Sequence, residues 1–170
     1  MCVNLSMKQL QDPGLVDKVE GSLRRAALDA DELKLEITET MVMEDEQYVI
    51  GVLRDLSALG VRISLDDFGS GYSSLNYVKD LPVDDLKIDK SFIHALGEDP
   101  VNEAIVRLIV DFAHTLGLKV TAEGVENERQ VASLAAMGCD QAQGFYFSKP
   151  LPSETAGKLV TTNPSWRTFR

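Results

Sequence analysis

The sequence predicts a parallel α/β fold of about six strands with intervening helices, and three observations lead there. Short β-branched runs alternate with longer segments of helical periodicity, as in a chain of βα units. Several strand candidates are apolar at alternate positions and carry a polar residue at their C-terminal end. The length, 170 residues, corresponds to about five and a half βα units, at the roughly 31 residues per unit of an eight-unit barrel. That length suits one domain with a sizeable core and is short for two.

The strand candidates are 3–6, 33–38, 61–66, 85–89, 118–123 and 140–144. Between them the pattern predicts helices near 13–28, 46–58, 101–116 and 127–137. The first helix is expected to open with Asp12 as N-cap and Pro13 at its first position. The second and third are expected to stop at Gly60 and Gly117, residues suited to a left-handed terminus. In the third, Ile105, Leu108, Ile109, Phe112 and Leu116 recur at three- and four-residue spacing and predict one buried face. The run Glu44-Asp45-Glu46 reads as an acidic helix start complementing the dipole. Met41 and Met43 read as packing residues, Cys139 as core or turn, and His114 as a helix-end partner without a ligand role. Residues 1–160 are expected to form the C-terminal portion of a domain, and 161–170 read as a polar C-terminal tail.

Composition narrows the function. The formal net charge is −10, which argues against DNA, RNA or an anionic membrane as partner, since each needs positive charge at the contact. Apolar residues are 44% and charged residues 26%, close to the globular average. No apolar run approaches the ~20 residues of a bilayer span, and the N-terminus lacks the pattern of a signal peptide. Cys2 and Cys139 make no disulfide framework, so a reducing, cytoplasmic setting is expected.

The chemistry lies in what ends each strand. In order, the six ends carry Asn4, Glu36, Asp66 followed by Asp67, Lys87 with Asp89, Glu123, and Gln143. In parallel α/β folds the C-terminal strand ends form the functional rim, where inward side chains converge. Carboxylates gathered there repel one another, and a hard divalent cation relieves that repulsion. A set of oxygen donors favours Mg²⁺ or Mn²⁺ over zinc. One such acid is more often a solvated strand end or a helix cap; the repetition on successive strands is what points to a site. Asp66-Asp67-Phe68-Gly69-Ser70-Gly71-Tyr72-Ser73-Ser74-Leu75 is the densest segment. Adjacent acids on a strand point to opposite faces, but where the chain turns both can reach a metal pair. Two metals bridged by a carboxylate activate water and stabilise the leaving oxygen of a phosphoester. Lys87, flanked by Leu86 and Ile88, is expected to point inward and meet the acids, because a buried lysine is costly unless paired. Glu123 and Glu126 place two carboxylates in one loop after a strand.

These residues resemble an EAL domain. The resemblance rests on Asn4, Glu36-Ile37-Thr38-Glu39, the string beginning at Asp66, Leu81-Pro82-Val83-Asp84 with Leu86-Lys87-Ile88-Asp89, Thr121-Ala122-Glu123-Gly124-Val125-Glu126, and Gln143-Gly144-Phe145 through Ser148-Lys149-Pro150-Leu151-Pro152. The motifs run in family order across residues 4–152. The family's members are bacterial cyclic-di-GMP phosphodiesterases built as modified TIM (β/α)8-type barrels, which implies an incomplete barrel here. The resemblance further implies that Asn4, Glu36 and Asp66 ligate one Mg²⁺ or Mn²⁺ and that Asp66, Asp67 and Glu123 ligate a second. Glu123 would serve as general base and Lys87 would position the attacking water. Glu39 looks like the anchor of the glycine-rich loop 67–74, a loop that in the family also takes part in homodimer contacts. Glu126 and Gln143 look like supporting or substrate-side residues. The implied reaction opens cyclic-di-GMP to linear pGpG.

The Glu-Ala-Leu tripeptide that names the family is absent from the 170 residues, and its place would be roughly 50–60 residues upstream of Asn4. The family's Glu in that motif is a metal ligand, so this chain alone is expected to bind metal and substrate poorly. Strands 3–6 and 140–144 are expected to present unpaired edges. A non-catalytic EAL-like module that binds cyclic-di-GMP or a partner protein is the alternative; the intact acids and Lys87 weigh against it. An enolase-like barrel would need a second base opposite Lys87, and neither histidine is placed to provide it.

Overall fold

The computed structural model describes residues 1–69 and 77–162. The strands are β1 (Cys2–Asn4), β2 (Lys34–Thr38), β3 (Arg62–Phe68), β4 (Asp85–Ile88), β5 (Lys119–Ala122) and β6 (Gln141–Ala142). The helices are α1 (Met7–Leu10), α2 (Leu15–Ala26), α3 (Glu39–Glu44), α4 (Glu46–Ala58), α5 (Lys90–His94), α6 (Pro100–Thr115), α7 (Glu128–Ala136) and α8 (Ser153–Thr161). The chain divides into two compact units, Met1–Lys87 with Leu116–Leu118, and Ile88–Thr115 with Lys119–Arg170.

In the first unit the strand order is β1-β2-β3-β4. β1 and β2 pair in parallel with Asn4 opposite Glu36, and β2 pairs with β3 so that Glu36 meets Ser64 and Thr38 meets Asp66. Strand alternation then sorts the side chains. The odd-numbered Leu35, Ile37, Ile63 and Leu65 are buried, and α4 packs against β3 with Val49, Ile50, Leu53 and Leu56 inward. The even-numbered positions carry polar groups on the other face. In the second unit the Glu123 N–H donates to the carbonyl of Ile88, the last residue of β4, at 3.2 Å. β5 then pairs in parallel with β6. Among the described residues β1 pairs with β2 and β6 with β5, each at an end of the strand order, as expected for exposed edges.

Each strand candidate becomes a strand, with shifted ends. β3 runs two residues past its expected end and carries both Asp66 and Asp67. The helix 46–58 appears at its expected limits, with Asp45 capping it through the Tyr48 N–H at 3.3 Å. Three expectations are corrected. The helix expected from 13 starts at Leu15 with Gly14 as N-cap. Asp12 instead accepts from the Gly14 N–H at 2.9 Å, so the aspartate closes a local turn before the helix. The buried face of α6 is Val106, Ile109, Val110 and Ala113, whereas Leu108 is 61% exposed. Glu103, Arg107, Asp111 and His114 share one polar face of that helix, and the apolar arc opposite is wide enough to hold both the expected set and the observed one, so packing selects the side that carries Val106, Val110 and Ala113. Met43 is 46% exposed and does not pack. His114 and Cys139 behave as read: His114 Nε2 lies 2.9 Å from Asp140 Oδ2, and Cys139 is buried. Residues 70–76 and 163–170 lie outside the described residues, and with them most of the expected loop 67–74 and of the tail.

Candidate active site

The polar face of the first unit is built in two layers. In the upper layer Lys87 Nζ stands 3.2 Å from Glu36 Oε2 and 3.0 Å from Asp66 Oδ1. Lys87 is only 6% exposed, so it meets the acids as its sequence context predicts. The register explains why: Glu36 and Asp66 fall on one face of adjacent strands, two positions apart along the sheet, and Lys87 on β4 reaches both. Asn4 is next to Glu36 in the same register and is exposed.

Below it, Asp85 accepts from the Ser64 hydroxyl and forms an ion pair with Lys34. This lower layer was not anticipated. Its signal lies in the sequence as polar residues at period two: Lys34-x-Glu36, Ser64-x-Asp66 and Asp85-x-Lys87. Reading only the strand ends overlooks the residues two positions earlier, which share their face.

Asp67 extends the upper layer by unusual means. Its φ is 55°, a left-handed conformation rare for a residue with a side chain. That rotation breaks strand alternation, so the two neighbouring acids are not sent to opposite faces as in a regular strand. The Asp67 N–H donates to Asp66 Oδ1 at 3.0 Å. Two residues on, the Gly69 N–H donates to Glu39 Oε2 at 3.1 Å. Glu39 is buried, and burial pushes its carboxyl above the usual glutamate range while the Gly69 N–H and the Tyr77 hydroxyl pull it down. Glu39 thus holds the residue that immediately precedes 70–76.

In the second unit the loop after β5 carries Glu123. Gly124 has φ +70°, and a Cβ there would fall 2.6 Å from Lys90 Cβ. Val125 N–H donates to the Gln143 carbonyl at 3.0 Å, and Gln143 N–H to the Ala122 carbonyl at 2.8 Å. Gln143 and Glu126 are exposed. Gly144 packs against the Val125 backbone so closely that a Cβ would lie 2.1 Å from its carbonyl oxygen. Asp89, expected among the strand-end acids, caps α5 by accepting from the Ser91 N–H at 2.9 Å. Here the commonplace reading of a strand-end acid holds. The residues missed from sequence are Lys34, Ser64, Asp85, Tyr77 and Gln130, whose buried side-chain amide ties down the loop after Glu123.

The EAL domain family matches residues 2–150. The chain belongs to the EAL-domain family. It is 48% identical over 154 residues to the bifunctional diguanylate cyclase/cyclic di-GMP phosphodiesterase MucR of Pseudomonas aeruginosa, covering 91% of this chain and 22% of MucR. It is 36% identical to the cyclic di-GMP phosphodiesterase PdeR of Escherichia coli, over 90% of this chain and 23% of PdeR. The EAL chain thus spans about a fifth of the length of these relatives. The solved complex of the MucR phosphodiesterase with c-di-GMP matches with a TM-score of 0.86, covering 91% of this chain and 63% of that one. The manganese/c-di-GMP complex of Klebsiella pneumoniae BlrP1 matches at 33% identity and a TM-score of 0.82, covering 88% of this chain and 38% of that one. The fold class is that of these EAL structures: six parallel strands with helices, an incomplete barrel of TIM type. No helix among the described residues is long and apolar enough to cross a membrane.

The donor chemistry suits a hard cation. Asn4, Glu36, Asp66 and Asp67 offer oxygen alone, the preference of Mg²⁺ and Mn²⁺. Across the two layers of the first unit, Glu36, Asp66 and Asp85 meet Lys34 and Lys87, so the acids outnumber the lysines even before Asp67 is counted.

Proposed function

We propose that this EAL domain hydrolyses cyclic-di-GMP to linear pGpG with Mg²⁺ or Mn²⁺. The observation that carries the reading is Lys87 held between Glu36 and Asp66, because it places a cation donor among acids at the strand ends. Asn4, Glu36 and Asp66 hold one metal in this reading, and Asp66, Asp67 and Glu123 a second. Such a pair would neutralise charge on the phosphoryl oxygens and make a water easier to deprotonate. Lys87 directs a proton toward the attacking water and fixes its position, and Glu123 takes up the proton that water loses. Glu39 keeps the Asp67 turn in place through Gly69, Glu126 supports the Glu123 loop, and Gln143 faces the nucleotide. Support comes from the family membership and from MucR and PdeR, whose names carry this activity. The two free cysteines suit a cytoplasmic setting.

The test is chromatographic. The chain is incubated with c-di-GMP and Mn²⁺, and pGpG is followed against time. Slow turnover, as expected of this chain alone, that depends on the metal and falls by about 10³-fold or more in Glu123→Gln is the expected result. Turnover unchanged in that variant removes Glu123 from the base role.

A further inference from the structure

The loop that carries Glu123 is held by a side chain outside every motif considered so far. Gln130 lies on the first turn of α7 and is 1% exposed. A glutamine amide has two N–H donors and an oxygen with two acceptor positions, and here all four are used. Gln130 Oε1 accepts from the Glu126 N–H at 2.7 Å and the Asn127 N–H at 3.2 Å. Gln130 Nε2 donates to the Ile93 carbonyl at 3.0 Å and the His94 carbonyl at 3.3 Å. Only one orientation of the amide satisfies this arrangement, since two donors face one end and two acceptors the other. Asn127 completes the lock: its side chain accepts from the Gln130 N–H at 3.1 Å.

The carbonyls at the far end belong to the last turn of α5, the helix that follows β4. The N–H groups at the near end belong to the loop that begins at Glu123. One buried amide therefore ties the segment three residues after Glu123 to the helix behind the neighbouring strand. Glu123 is itself pinned on the other side by its N–H bond to Ile88. Between the two pins, Gly124 takes the left-handed turn against Lys90. The backbone from Glu123 to Asn127 is thus fixed at both ends. The cap of α7 needs only the Asn127 and Gln130 exchange; the two further bonds reach across to carbonyls at the C-terminal end of α5, which have no partner within that helix.

We propose that Gln130 is a positioning residue that sets the Glu123 carboxylate for metal binding by locking the loop 123–127 onto α5. The proposal rests on Glu123 being a metal ligand, as read above. The probe is Mn²⁺ alone, titrated calorimetrically into the full chain. Gln130→Met fills the space and removes all four bonds; Gln130→Asn shortens the amide and serves if the first variant does not fold. Leu134→Val, one turn further along α7 and fully buried, perturbs the packing of the helix without touching these bonds. Loss of the lock is expected to weaken Mn²⁺ binding about 10- to 100-fold, the usual cost of removing support from behind a ligand. Leu134→Val should leave the affinity unchanged even where its unfolding temperature falls as far. Unchanged Mn²⁺ affinity in the Gln130 variants overturns the proposal, and so does an equal loss in Leu134→Val, which marks a purely structural role. Glu123→Gln separates the two readings. If it binds Mn²⁺ as wild type does, the ligand role of Glu123 fails and the Gln130 proposal falls with it. If it weakens binding while the Gln130 variants do not, the Gln130 proposal alone is wrong.

Discussion

An ammonium at 6% exposure, as at Lys87, is stable only in company, because removing a charge from water costs several kcal/mol unless partners replace the solvent. The same reasoning applies one layer down. Asp85 is 3% exposed and joins Lys34 to Ser64. Asp85→Ala strands the Lys34 ammonium in a largely buried position. The expected loss is about 3 kcal/mol, read from urea unfolding; a change below about 1 kcal/mol would show that Lys34 escapes to solvent. Glu39 makes a pH prediction. Burial raises its carboxyl above the ordinary 4.5, so the folded state binds the proton more tightly than the unfolded one. Stability then falls as pH rises from the ordinary value through the raised one. Glu39→Gln keeps an acceptor for the Gly69 N–H and removes this titration. Below pH 4.5 the two proteins should melt alike, and the variant should gain on wild type as pH rises. Parallel melting curves across that range would mean that the carboxylate is fully compensated.

Elements here are fixed by close backbone approach as much as by hydrophobic pattern. At Gly144 a Cβ would sit 2.1 Å and 2.3 Å from the Val125 carbonyl oxygen and nitrogen, and backbone atoms cannot swing aside. Gly144→Ala should cost about 3 kcal/mol or more, seen as a lowered melting temperature and altered protection of the 123–127 amides. Gly51 in α4 meets nothing within 4 Å, so Gly51→Ala should stabilise by about 0.5–1 kcal/mol. Opposite signs for two glycine-to-alanine changes distinguish contact from conformational freedom. The same contrast explains what the amino-acid pattern could reveal. The helix Glu46–Ala58 was legible because Asp45 and Gly60 mark both ends. The face of α6 was not, because the apolar arc opposite Glu103, Arg107 and Asp111 is wider than the stripe that packs, and periodicity does not say which half of it is buried. The Asp12 turn is hidden in the sequence because an aspartate before a proline suits a cap and a local turn equally well. Strand ends were legible as chemistry, while the Lys34–Ser64–Asp85 layer was hidden by attention to those ends alone.

On the scale of the molecule, a net charge of −10 and a site made of acids point the same way, toward a bound cation, which in the proposed function would meet an anionic substrate. The parallel register puts Asn4 beside Glu36, and Glu36 and Asp66 on one face. Lys87 then pairs with both acids, and the left-handed Asp67 extends the cluster. These residues are legible in the sequence because each is a polar group near the C-terminal end of a β-branched run. The sequence does not reveal the glutamine amide behind Glu123, whose partners are backbone groups that leave no trace in the pattern of side chains. The most direct measurement of the central claim is calorimetric titration of Mn²⁺ into the wild-type chain and into Asp66→Asn, which removes a carboxylate while keeping the shape. The account predicts weak but detectable Mn²⁺ binding by the wild-type chain alone and a further loss of more than about 100-fold in the variant, beyond the range that supporting residues produce; equal affinity in the two proteins, or no binding by wild type even at high Mn²⁺ concentration, would contradict it.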